Sequence, residues 1–402
     1  MPQCVGHYIL HLLRLQLKTV CRHLSCGKKI QTRNNDNMAK RELFFALAAT
    51  IGLISANGAD ACTGITLKSK DNGVVTARTI EWGASEMDNM YTIVPRGYIQ
   101  QSMLPNGETG GMAFSAMYGY VGLAVVEPGW VVDGMNEAGL SAGLFYFPGY
   151  GEYPEYDPDE KAKTISDFQL VSWILSRFST VDQVRDAIQD IRVTSIDPRA
   201  STAHWRVTEP SGKQIIIEFV DGRPNVYDSQ LGVLTNSPDY PWQLKNLNNY
   251  VNLIPGTAGP IKMGPISLNA FGAGSGFLGL PGDFTPPSRF VRAAFLQTYS
   301  IQQDTSYDSA MQAFHILNNF DVPLGTEYPV GRAPVNMPSA TQWTIATDMH
   351  DRVVYYHTMY NRTLRAIELD KIDFATVSFQ SHPLDDTRSE TIIPITVTQN
   401  AQ

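Results

Sequence analysis

Cys62 would unite the parts of an amide-cleaving site in one residue if the chain were cut directly before it. Cleavage of the Ala61–Cys62 bond leaves a thiol and a free α-amine on the same residue, a nucleophile and a base for its proton. An α-amino group has a pKa near ~7.7–8, so an appreciable fraction is neutral at neutral pH and able to accept that proton. The thiolate then attacks an amide carbonyl, and water opens the resulting thioester while the same amine moves protons. The positions that follow predict the element carrying it. Apolar alternation through Ile65 and Leu67, the turn Asp71-Asn72-Gly73 and a second extended run at 74–78 read as a β-hairpin. That hairpin brings Arg78 and Glu81 near the strand that starts at Cys62.

The residues upstream supply a reason for a cut at this place. Residues 38–61 have the form of a secretory signal peptide: Lys40 and Arg41 as the charged start, 43–54 as the apolar core, and Ala59 and Ala61 as the small-residue cleavage site. Residues 1–37, with a basic Leu-rich piece (Leu10, Leu12, Leu13, Leu15, Leu17), read as a non-native extension upstream of a start at Met38. Residues 62–402 are expected to form one domain. Cys4, Cys21 and Cys26 all precede the expected cut, so the exported chain keeps a single thiol and makes no internal disulfide. The expected destination is the periplasm or the exterior. A bacterial lipid-attachment cysteine is the rival reading, and Ala59 and Asp60 stand where such sites usually carry small and aliphatic residues.

Composition narrows the partners. Residues 1–61 hold 8 of the 31 basic and 3 of the 39 acidic side chains, so the remainder carries a net charge near −13. Nucleic acid and anionic membrane surfaces need a basic face, which leaves small molecules as the expected partner. No run after Cys62 reaches the roughly eighteen apolar residues of a membrane span. The one His-x-x-x-His spacing, His7 and His11, lies upstream of the cut, and neither a metal nor a cofactor is expected.

Further along, short β-rich segments at 91–94, 120–126, 130–133 and 139–147 are separated by turn residues and predict a continuing antiparallel sheet. Ile165, Phe168, Val171 and Ile174 have helical spacing within 161–178, and Thr180-Val181-Asp182-Gln183 is a capping box opening a second helix through Ile191. Strands return at 203–208, 214–220 and 225–233, helices at 288–299 and 307–317, and closing strands at 342–347, 353–358 and 365–369. Residues 274–279 match a dinucleotide-binding glycine pattern only formally, because Pro281 and Gly282 replace the helix that must begin there. A substrate-lining loop is expected instead, and the polar tail after Phe379 is expected to contribute little to any site. The β, α, β order indicates an α+β fold.

Five fragments carry a resemblance. Cys62-Thr63-Gly64, Ala77-Arg78-Thr79-Ile80-Glu81-Trp82, Asp133-Gly134-Met135-Asn136-Glu137-Ala138-Gly139-Leu140, Leu234-Thr235-Asn236-Ser237-Pro238, and Pro281-Gly282-Asp283 with Ser288-Arg289-Phe290-Val291-Arg292-Ala293 together resemble the choloylglycine hydrolase family, from Cys62 to about Leu369. That family includes bile salt hydrolases and penicillin V acylases. The resemblance implies a four-layer αββα N-terminal-nucleophile hydrolase with two stacked antiparallel sheets, a linear-amide substrate with an apolar acyl arm, no cofactor, and a homotetramer. Carried over by residue, it implies that Arg78 lowers the pKa of the thiol, Asn236 lines the oxyanion hole and Arg289 orders the site. Glu81 stands where the family usually has Asp holding the amine, one methylene longer. Within Phe145-Tyr146-Phe147-Pro148-Gly149, Tyr146 occupies a position that is usually Asn in bile salt hydrolases and often Tyr in penicillin V acylases. A register one residue off would make Phe145 the relevant ring, and Trp82 is a third expected substrate-binding aromatic.

Three rivals are weighed against this. An acyl-homoserine lactone acylase would share the fold. A papain-like protease could pair Cys62 with His204, although Cys62 opens a strand where that nucleophile opens a helix. A lipid-anchored binding protein would use Cys62 without catalysis.

Overall fold

The computed structural model describes residues 61–83, 87–196, 201–327 and 340–397. The expected leader and upstream extension, Ala61 apart, lie outside them.

The predicted hairpin forms. Strand Cys62–Lys68 pairs antiparallel with strand Val74–Trp82, in a register that sets Cys62 against Ile80 and Gly64 against Arg78. Asn72 takes a positive φ of 67° in the turn, a conformation that Asn tolerates better than most residues. Strand Val74–Trp82 is buried along nearly its whole length because strand Ala340–Asp348 covers its other edge. Strands Val353–Thr358 and Arg365–Glu368 complete a five-stranded antiparallel sheet.

A second antiparallel sheet has eight strands, in spatial order Arg223–Asp228, Gln214–Val220, Ala203–Thr208, Ser141–Tyr146, Val131–Asn136, Tyr120–Ala124, Met90–Val94 and Gln380–Pro383. The two sheets face each other closely where Gly64 meets Phe145. A Cβ on Gly64 would lie 2.7 Å from both the Phe145 ring and an Arg206 nitrogen, so the glycine of Cys-Thr-Gly is what allows the approach. Helices Pro286–Tyr299 and Ser306–Leu317 pack on the five-stranded sheet, and helices Leu170–Arg177 and Val181–Ala187 on the eight-stranded one. The architecture is the four-layer αββα α+β fold with two stacked antiparallel sheets.

Local expectations fare unevenly. The capping box at Thr180 forms in both directions, with Thr180 accepting from the Gln183 N–H and Gln183 accepting from the Thr180 N–H. The helix that follows ends at Ala187 and continues to Asp190 only as a 3-10 turn. The helix expected over 161–178 starts only at Leu170. Thr164–Ser166 is a strand paired in parallel with Arg192–Thr194, and this tertiary pairing overrides the helical spacing of Ile165. In the tail, Gln380–Pro383 adds the edge strand beside Met90–Val94 and Asp385 receives Arg365 at 3.0 Å. The glycine run at 274–279 makes a 3-10 turn, Ser275–Phe277, on an exposed segment. Among the described residues, no helix is long and apolar enough to cross a membrane, and no three His, Cys, Asp or Glu side chains cluster to hold a metal.

Candidate active site

Cys62 sits at the head of the hairpin's first strand, 4% exposed, and is the one free cysteine among the described residues. On its sulfur side Arg78, from the neighbouring strand, places Nη2 2.8 Å from Sγ. The Tyr146 backbone N–H, from the opposite sheet, also hydrogen-bonds the sulfur. Arg78 is fully buried, and Nη1 donates to the carbonyls of Leu144 and Val132 while Nε donates to that of Thr79. Its guanidinium lies over the Phe145 ring, 4.1 Å from the centroid, with Asp133 at 3.9 Å. Burying a cation this deeply requires such pairing.

The backbone side of Cys62 is held from a different direction. Its N–H donates to Asn236 Oδ1 at 2.8 Å, and its carbonyl accepts from Arg289 Nη1. Arg289 also donates to Thr63 Oγ1 and Asn236 Oδ1, both at 2.8 Å, and through Nε to the Phe284 carbonyl at 2.7 Å. Its place in helix Pro286–Tyr299 could have meant a surface charge, yet Arg289 is fully buried with every described contact polar. Asn236 completes the frame by donating from Nδ2 to the Tyr146 carbonyl at 2.7 Å. Arg78, Asn236, Arg289 and Cys62 therefore form one hydrogen-bonded cluster.

Glu81 belongs to the same cluster electrostatically. Its backbone N–H bonds the Ala61 carbonyl at 2.8 Å, and its Oε1 accepts from Thr341 Oγ1 at 3.0 Å. Oε2 is buried and makes no hydrogen bond. Burial pushes this carboxyl up to about 7, against the pull of Arg289, the nearby Thr79 and Thr341 hydroxyls, and Arg78. Arg78 acts on the thiol in the expected direction, lowering its pKa, but it is not the largest influence. Burial raises it by more than Arg78 lowers it, with Glu81 adding to the rise and Arg289 to the fall.

The three aromatics part company. Trp82 and Tyr146 are half-buried and meet edge to face, with ring centroids 6.4 Å apart. Phe145 points the other way along its strand and is fully buried between Arg78 and Arg206, so it packs the space between the sheets and lines no open surface. His204 makes no papain-like pair with Cys62. Its two ring nitrogens face Glu218 Oε1 at 3.0 Å and the Thr235 carbonyl at 2.9 Å.

Thr341 and Asp133 went unnoticed as members of this environment. The first becomes visible only through the cross-strand register that sets it against Glu81. Asp133 stood in a recognised fragment, but only sheet stacking brings it to Arg78. Burial pushes its carboxyl up to about 6.

Stacked antiparallel sheets between helix layers, with a cysteine heading the first strand, define an N-terminal-nucleophile hydrolase fold. Residues 62–389 match the family model for linear amide C–N hydrolases, choloylglycine hydrolase family, and the chain belongs to that family. It is 32% identical over 316 residues to the bile salt hydrolase/transferase of Clostridium perfringens, covering 77% of this chain and 93% of that protein. It is 26% identical to the penicillin V acylase of Pectobacterium atrosepticum, covering 77% and 81%. The solved structure of a variant of the Clostridium perfringens conjugated bile acid hydrolase superposes with a TM-score of 0.73 at 29% identity, covering 83% of this chain and all of that one. This protein is accordingly a linear amide C–N hydrolase.

Proposed function

We propose that the protein hydrolyses an acyl amide with an apolar acyl arm, using Cys62 as an N-terminal nucleophile released by cleavage after Ala61 on the way out of the cytoplasm. The observation carrying this reading is that one residue has both of its reactive atoms held: Sγ by Arg78 Nη2 and N by Asn236 Oδ1, each at 2.8 Å. The family match beginning at residue 62 supports it further.

With Ala61 attached, the nitrogen of Cys62 is an amide and cannot serve as a base. Cleavage turns it into an amine beside Asn236 Oδ1, and Glu81, which acts electrostatically on Cys62 and has an unpartnered Oε2, is the carboxylate we assign to the ammonium. The new positive charge draws the thiol and Glu81 toward their ionised forms, which offsets the burial that keeps the thiol protonated in the longer chain. Attack by sulfur then moves negative charge onto the substrate carbonyl oxygen. Asn236 Nδ2, which reaches the Tyr146 carbonyl, and the Tyr146 N–H are the donors we assign to it.

The edge-to-face pair Trp82 and Tyr146 favours an aromatic acyl arm such as phenoxyacetyl over a steroid. The relatives bear names of both kinds, bile salt hydrolase/transferase and penicillin V acylase. The test joins mass spectrometry of the secreted N-terminus to a kinetic panel of penicillin V, a conjugated bile salt and an acyl-homoserine lactone. An active enzyme starting anywhere but Cys62, or carrying a lipid on it, overturns the proposal.

A further inference from the structure

We propose that His204 and Glu218, neither of which touches Cys62, form a buried strut that positions Asn236 for the reaction; this rests on the reading of Asn236 as an oxyanion donor. The two residues are direct cross-strand partners on Ala203–Thr208 and Gln214–Val220, and both are fully buried. Placing an imidazole and a carboxylate there is costly unless their polar atoms are used. Three of the four, all but Glu218 Oε2, are used, and they converge on one segment. His204 Nε2 donates to the Thr235 carbonyl at 2.9 Å, while Glu218 Oε1 takes both His204 Nδ1, at 3.0 Å, and the Tyr240 N–H, at 2.9 Å. The pair therefore grips the chain at Thr235 and again at Tyr240, and Asn236 lies between the two grips.

The ring itself has little freedom. It stacks on Phe147 with centroids 4.5 Å apart and planes 9° from parallel, and it meets Phe145 edge on at 6.2 Å. Phe147 and Phe145 flank Tyr146, whose carbonyl accepts from Asn236 Nδ2. The aromatic stack thus fixes the strut relative to the strand that Asn236 must reach. A carbonyl oxygen only accepts, so Nε2 must carry a hydrogen, and the contact between Nδ1 and Glu218 shares a second one. Removing either partner costs the other a buried hydrogen bond: loss of His204 frees Thr235 to shift, and loss of Glu218 unseats both the His204 ring and the Tyr240 N–H. Displacements of about an ångström at a reacting group cost on the order of a hundredfold.

His204→Gln and Glu218→Gln are the variants, and kcat, KM and the rate of Cys62 alkylation by iodoacetamide are the readouts, with the panel's best substrate. Each variant is expected to lower kcat by on the order of ten- to a hundredfold, with KM and alkylation changed by no more than ~2-fold, since the sulfur is held by Arg78 and not by this pair. Should His204→Gln fail to fold, the milder Glu218→Gln carries the test, with the melting temperature as its check. The same substitutions in an Asn236→Ala background are expected to cost less than ~2-fold further, because residues acting through one another are not additive. Full kcat in both variants, losses that multiply in that background, or alkylation falling in parallel with kcat each overturn the strut. Full activity of Asn236→Ala alone overturns instead the reading of Asn236 on which it rests.

Discussion

The two sides of Cys62 are built from different material. The sulfur side is a cation and an aromatic face: Arg78 pinned to strand carbonyls and laid over Phe145, with the Tyr146 N–H beside it. The backbone side is an amide and a second guanidinium, Asn236 and Arg289, that reach the nitrogen and carbonyl of Cys62 from segments 174 and 227 residues away in the chain. In the mechanism we propose, the first side acts on the ionisation of the nucleophile and the second sets where the amine and the substrate oxygen sit. Each reactive atom of Cys62 then has its own polar partner, Arg78 for the sulfur and Asn236 for the nitrogen.

Removing the nucleophile tests both sides at once and has the largest expected effect. Cys62→Ser should lower kcat/KM by on the order of a thousandfold or more, because a hydroxyl is a far poorer nucleophile near neutral pH and the frame around it is tuned for sulfur. Steady-state kinetics on the panel decides it, and comparable activity would remove Cys62 from the mechanism.

The next test separates the sides. Asn236→Ala should reduce kcat by roughly a hundredfold while leaving iodoacetamide alkylation of Cys62 close to wild type. Arg78→Gln should slow alkylation at neutral pH, the thiol losing its largest stabilising charge. If both substitutions alter alkylation alike, the division of labour is wrong.

Glu81 links cleavage to stability. Its folded value of about 7 lies above the ordinary carboxylate range, so its contribution favours folding most below pH ~4.5 and is lost as pH rises toward 7. In the chain that retains Ala61, the melting temperature should fall over that window, and Glu81→Gln should flatten the fall by about 3 kcal/mol at most. In protein beginning at Cys62, the ammonium supplies a partner and the slope attributable to Glu81 should shrink. Identical slopes in the two forms would show that Glu81 does not face the amine.

Smallest is the aromatic effect. Tyr146→Asn should reduce the preference for penicillin V over glycocholate by about three- to tenfold, the worth of one aromatic contact of ~0.5–1.5 kcal/mol. Phe145→Leu offers the contrast, since a ring packed against Arg78 should alter alkylation and stability before it alters that ratio.

Much of the molecule was legible locally. Strands 203–208 and 214–220 were placed residue for residue, the hairpin formed around its Asp-Asn-Gly turn, and the capping box at Thr180 opened its helix. These features rest on backbone preferences that act within a few residues. Where the environment comes from elsewhere, local spacing misleads: Ile165 has helical spacing but pairs with Val193.

By itself the sequence singled out Cys62, the Arg78 and Glu81 strand, Asn236 and Arg289, which stand in recognisable local contexts, but not Thr341 or Asp133. It also marked the hairpin as their scaffold. Only the tertiary structure decided what each of them faces. The stacking of two sheets buried Phe145 and left Tyr146 at the rim, turned Arg289 inward from its helix, gave His204 to Glu218 and Thr235, and made burial outweigh Arg78 in setting the thiol's pKa. Side-chain periodicity says that neighbouring residues point to opposite faces. Which face is solvent and which is core depends on a layer whose strands lie more than a hundred residues away.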